Sequence, residues 1–149
     1  MAILDTVREV VGELSTWTFS TVLSVPDAGI ERPPLLTEMD AVELSVFVAD
    51  TGTYITAWTF GAGTWAVGVE VLKNINVKNT GRGVYVEATG TLTITLHAGD
   101  NPCVATGTTE GDLEMHEALV TTRYNGDVDQ LHKRVRFQVQ NLGKVPRVP

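Results

Sequence analysis

Residues 84–99 read VYVEATGTLTITLHAG, and the reading of that stretch decides the fold. Leu92, Ile94 and Leu96 alternate with Thr91, Thr93 and Thr95, the period of two that puts apolar side chains on one face of a strand. A second pattern runs through the same residues. Tyr85, Ala88 or Thr89, Leu92 and Leu96 make a helical stripe, which Gly90 and the threonines oppose. The residues favour a strand. A strand here would favour an all-β reading.

Upstream of this stretch the pattern is mixed. Ile3, Leu4, Val7, Val10, Val11 and Leu14 fall at steps of 1, 3, 3, 1 and 3, with Asp5, Thr6, Arg8, Glu9 and Glu13 between them, which predicts an amphipathic helix over 2–14. From Thr16 the period shortens: Trp17, Phe19 and Thr21 alternate with Thr18, Ser20 and Val22, as a strand requires. The run VPDAGIERPPLL, with Pro26, Gly29, Pro33 and Pro34, predicts irregular chain. Val42, Leu44, Val46 and Val48 then give a half-buried strand, and Trp65, Val67, Val69 and Val71 another. Downstream, Ala118–Tyr124 reads as a short strand. Val135, Phe137 and Val139 alternate with Arg134, Arg136, Gln138 and Gln140 in a final strand with one basic-polar face. The tail, with two prolines, predicts an extended arm over 142–149.

At 149 residues the chain predicts one domain over 1–149, large enough to bury about 70% of its unfolded surface. Eleven Lys and Arg against eighteen Asp and Glu leave a net charge of −7, which argues against a general nucleic-acid binder. His132, Lys133, Arg134 and Arg136, with Lys144 and Arg147 in the tail, form the one basic cluster. It reads either as a solubilising sheet face or as a docking surface for an acidic neighbour or for DNA passing through a lumen. A single cysteine, Cys103, excludes an intrachain disulfide and reads as a small filler near a loop. Asp5, Arg8 and Glu9 interrupt any signal-peptide core, and no run of 18 apolar residues spans a membrane.

Catalytic chemistry finds no foothold in the motifs. His97, His116 and His132 each have carboxylates nearby, but none has a metal-ligand spacing, and all three read as solvated loop residues. There is no GxSxG elbow, and the glycines of Gly61–Trp65 and Thr80–Gly83 fit no phosphate-binding loop. The expectation is a protein that is not an enzyme and carries no cofactor or metal.

The order of segments carries a resemblance. The N-terminal amphipathic stretch, FSTVLSV, a loop ending in PPLLTEMDAV, VELSVFVAD and WAVGVEVLKNI lie within residues 2–74, and RYNGDVDQLHKRVRFQV lies near the end. Together these resemble the tail terminator or tail-completion (neck) proteins of tailed bacteriophages, over some two thirds of the chain. The resemblance implies an α+β fold: an N-terminal amphipathic helix packed on a mainly antiparallel β-sheet, with room for a second helix over 84–98. It also implies a short helical turn leading into the last strand.

By the same resemblance the chain would be a virion structural protein made in the host cytoplasm. It would form a homo-oligomeric ring at the head–tail junction and meet other neck or tail tube proteins, with DNA passing through the lumen and no membrane contact. Candidate subunit or partner contacts are Pro33, Pro34, Tyr54, Trp58, Arg134, Arg136 and Arg147. A strand at 91–96 would instead favour a capsid decoration or cement protein, folded as a β-sandwich or jelly roll. A carbohydrate-binding β-module, using Trp58 or Trp65 as a stacking platform, ranks third.

Overall fold

In the computed structural model, residues 3–13, 15–56, 59–61, 64–66, 72–77, 82–103, 109–126 and 129–142 are described. The strands are β1 (Ile3–Gly12), β2 (Trp17–Val22), β3 (Val25–Asp27), β4 (Ile30–Arg32), β5 (Met39–Val48), β6 (Thr59–Gly61), β7 (Thr64–Ala66), β8 (Ile75–Asn76), β9 (Gly83–Val86), β10 (Thr91–Leu96), β11 (Leu113–Tyr124) and β12 (Asp129–Gln140). Two sheets carry the core. One has the order β1-β12-β11-β5-β8 and the other β2-β10-β9, with β3-β4 and β6-β7 as separate hairpins. Among the described residues the helical content is two short 3₁₀ turns, Leu36–Glu38 and Ala98–Asp100.

The expected α+β class is therefore wrong, and the protein is a β-sandwich. The predicted helix over 2–14 is β1, which pairs in parallel with β12. Its first part pairs Thr6 with Arg136, while its last part pairs Val10 with Gln138. Three residues of β1 thus oppose a single residue of β12. The two extra residues leave the parity of the flanking segments unchanged, and apolar residues occupy both parities: Ile3 and Val11 stand in register with Lys133 and Val139, Leu4 and Val10 with Arg134 and Gln138. That is how a strand acquired a helical stripe. The β-branched residues Ile3, Thr6, Val7, Val10 and Val11 suit the extended chain better than a helix.

The second helix over 84–98 is absent as well. Residues 83–96 form the β9–β10 hairpin, in which Thr91 pairs with Val86 and Thr93 with Val84. Gly90 makes the turn. Its φ is +74°, and a Cβ there would lie 2.5 Å from the carbonyl oxygen of Leu23, so only glycine fits. On the other side β10 pairs with β2, setting Leu92 against Thr21, Ile94 against Phe19 and Leu96 against Trp17. All six of these side chains are buried.

They pack onto the inward residues of the larger sheet. Val42, Leu44, Val46 and Val48 come from β5, Ala118 and Val120 from β11, and Val135, Phe137 and Val139 from β12. The Trp17 ring stacks on Phe19 at 5.1 Å and meets Phe137 across the sandwich at 4.5 Å. Cys103 is fully buried in this core.

Two further expectations change. The stretch around Pro26 is not irregular: Val25–Asp27 and Ile30–Arg32 pair as a hairpin, turned by Ala28 and Gly29, which both have positive φ. The link into the last strand is not helical in its described part. Asn125 and Gly126 turn with positive φ, and Tyr124 pairs directly with Asp129. Residues 67–71, expected to be strand, and the arm from 143 onward lie outside the described residues.

Candidate functional site

Alternation along β11 and β12 sends Arg134 and Arg136 to the outer face of the five-stranded sheet, where both reach Glu117. Arg134 donates to it at 3.1 and 2.7 Å and Arg136 at 2.8 Å. Glu117 is only 2% exposed, although it points away from the core. Burial pushes its carboxyl upward, but the two guanidinium hydrogen bonds outweigh burial and hold it below the usual carboxylate range. Next along this face, Arg123 donates to Glu43 at 3.1 Å. The basic stripe read from the sequence is thus an ion-pair network, with two cations converging on one acid.

Tyr54 lies on the same face. Its ring meets Phe47 edge-on at 6.1 Å, and the Lys73 ammonium sits 5.1 Å from its centroid. Phe47 is the cross-strand neighbour of Glu117, so Tyr54, Arg134 and Arg136 share one surface. Pro33 and Pro34 do not join it. They follow the β3–β4 hairpin and are strapped to the other sheet. Tyr85 Oη donates to the Pro34 carbonyl at 2.6 Å, and Arg32 clamps the segment through Glu38 at 2.6 Å and Asp27 at 2.9 Å. Those bonds from Arg32, followed by the Leu35 backbone N–H, hold Glu38 below its ordinary range. Burial, then the nearby Glu87 and Glu38, raises the Tyr85 phenol. Trp58 and Arg147 lie outside the described residues.

Beneath the proline segment is an apolar cavity of about 190 Å³, lined by Leu36, Met39, Val42, Val77, Gly83, Tyr85 and Leu92. It opens between the sheets where β9 and β10 cross β5. The phenol of Tyr85 is its polar group, and that hydroxyl is already engaged with Pro34.

Several buried polar residues escaped the sequence reading. His116 is not a loop residue: it sits inside the sandwich at 0% exposure, its Nε2 sharing a hydrogen bond of 2.5 Å with the Glu114 carboxylate and its ring edge-on to Phe137. The signal was the parity of Glu114, His116, Ala118 and Val120, which puts all four on one strand face. His132 is half-buried on β12 and bonds Thr121, while His97 is exposed beside a 3₁₀ turn. Glu13 is fully buried and accepts from the backbone N–H groups of Leu142 and Cys103 at 3.0 and 3.3 Å. Asp100, also buried, accepts from Arg82 at 2.9 Å and from the His97 N–H at 2.8 Å. These acids tie strand ends together. Among the described residues no three His, Cys, Asp or Glu side chains are placed to hold a metal ion.

The outer face of β2–β10–β9 has a different character. Thr18 bonds Thr95 at 3.1 Å and Ser20 bonds Thr93 at 2.8 Å across the strands, with Val22, Val84 and Val86 exposed around them. Arg82 stands opposite Thr95 at the end of this face, its guanidinium ion-paired with Asp100 at 2.9 Å.

Compared with known protein families, curated proteins and solved structures, the chain matches none.

Proposed function

We propose that this chain is a non-enzymatic structural subunit of a bacteriophage virion, placed on the capsid surface as a decoration or cement protein. The observation that carries the reading is β10. As the central strand of the second sheet it makes the protein a sandwich, the architecture the capsid-surface reading calls for, whereas the neck reading calls for an N-terminal helix. The sandwich also suits the task physically. A core buried between two hydrogen-bonded sheets gives a rigid body, and its faces and hairpins offer flat contact surfaces. The Arg134 and Arg136 charges are drawn onto Glu117, which leaves a weaker positive field for DNA than the sequence stripe suggested. The virion assignment itself rests on the segment resemblance.

The test is immunogold electron microscopy, with an antibody to this protein on particles purified from the source. Gold spread over the capsid is the expected result. Gold confined to the head–tail junction would replace the capsid reading with the neck ring, and unlabelled particles would remove both.

A further inference from the structure

We infer that the cavity beneath the proline segment is a binding site for a small uncharged apolar molecule, an aromatic ring or a short branched alkyl group. Its walls come from both sheets and from the segment that crosses between them. Val42 belongs to β5, Gly83 and Tyr85 to β9, Leu92 to β10, and Leu36 to the first 3₁₀ turn. Its volume is about 190 Å³. Aliphatic cavities of ~150 Å³ stay free of water and take up benzene, so this one has room for a slightly larger guest. Tyr85 brings the polar side-chain group, and its proton is donated to the Pro34 carbonyl. A polar ligand would find no side-chain donor in the lining and would lose its water for nothing.

The frame holds this space open. The segment over it is pinned at three points: Tyr85 Oη donates to the Pro34 carbonyl at 2.6 Å, the Leu36 N–H to the Glu87 carboxylate at 2.8 Å and the Leu35 N–H to Glu38 at 2.6 Å. Arg32 fixes Glu38 in turn. On the β9 side, Gly83 runs so close to Val77 that a Cβ would lie 3.2 Å from the Val77 carbonyl oxygen. Walls held this way resist collapse into the void, and a ligand meets a formed site at little ordering cost. Met39, unbranched and polarisable, lets the lining adapt to an aromatic ring.

The rim supplies both a way in and a selectivity. Leu36 lines the cavity yet is 44% exposed, and Leu35 beside it is 47% exposed. The lining therefore reaches solvent along apolar side chains, a path that suits an uncharged molecule. Glu87 and Glu38 bond the backbone of these two leucines. Arg32 offsets Glu38, while Glu87 stays exposed. A ligand carrying a carboxylate would meet like charge on entering. This inference does not depend on where the protein resides.

Methyl-detected NMR of the full chain tests it, with toluene added up to its solubility limit. Saturable shifts are expected for the methyl groups of Leu36, Met39, Val42, Val77 and Leu92, with a dissociation constant on the order of 1 mM. Phenylacetate, which adds a carboxylate to the same ring, should bind at least ~10-fold more weakly. Leu92→Phe fills much of the volume and should abolish the toluene shifts with an unchanged circular dichroism spectrum. Should that variant not fold, Val42→Ile makes a smaller addition to the lining and should weaken toluene several-fold. Leu113→Ala, at an exposed position on β11, should bind toluene as the parent does. Shifts in the parent that never saturate, equal affinity for phenylacetate, or toluene binding indifferent to the filling variants would overturn the proposal.

Discussion

Replacing Ile94 by alanine separates the two readings of residues 84–99 by energy alone. In the structure Ile94 is 0% exposed at the centre of β10, opposite Phe19 of β2. The substitution removes three buried carbons, worth roughly 2.4 kcal/mol at ~0.8 kcal/mol each. A residual cavity of ~40 Å³ adds about 1 kcal/mol at ~24 cal/mol per Å³. The expected loss is therefore about 3–4 kcal/mol. For 149 residues, an unfolding entropy of ~2.1 cal/mol/K per residue converts that into a Tm drop of about 11 °C. Thr95→Val, one residue along and facing out, should change stability by less than ~0.5 kcal/mol. On a helix, Ile94 would lie about 200° around from Leu92 and off the apolar stripe, and its truncation would cost no more than that of a surface residue. Urea unfolding followed by far-UV circular dichroism gives both values. An Ile94→Ala loss below ~0.5 kcal/mol would refute the strand and the sandwich with it.

Gly90→Ala should destabilise by more than ~2 kcal/mol in the same assay, because the added Cβ meets the Leu23 carbonyl at 2.5 Å in a backbone with φ of +74°. Glu117→Gln should flatten the acid limb of the stability curve. The folded carboxyl is held below its ordinary value, so its stabilisation is complete above the unfolded pKa of about 4.3 and fades as pH falls through the folded one. Urea midpoints measured from pH 6 to pH 2.5 should fall more steeply in the parent than in the variant. Tyr85→Phe, which deletes the 2.6 Å bond to the Pro34 carbonyl, should cost about 1 kcal/mol and speed proteolysis between Pro33 and Glu38. Equal digestion rates would count against the tyrosine as the strap on this segment.

Clean alternation made part of the fold legible. WTFSTV, VELSVFV and RVRFQVQ each keep a strict period of two because each lies in one sheet with one face on the core, and each is a strand where the pattern puts it. β1 was misread for a local reason: its apolar residues occupy both strand parities, Leu4 and Val10 as well as Ile3, Val7 and Val11, and that mixture mimics helical spacing. β11 was read short for a different one. Glu114, His116 and Thr122 occupy inward positions on it, so a hydrophobic pattern fades where the strand continues. Polar residues at core positions are legible only when their partners are known: Glu114 and His116 meet along one strand, whereas Glu13 finds Leu142 and Cys103 in other segments.

The same distinction governs the surfaces. A run of arginines in sequence shows charge but not its neutralisation, because the Glu117 that gathers Arg134 and Arg136 is supplied by the adjacent strand. A run of threonines alternating with leucine and isoleucine shows a face but not its neighbours. The hydroxyl rows exist because β2 and β10 pair in a register that places Thr18 against Thr95 and Ser20 against Thr93. Shifting that register by one residue would turn the threonines into the core and the leucines outward. The register of β2 on β10 therefore fixes both the buried core and the chemistry of the outward face.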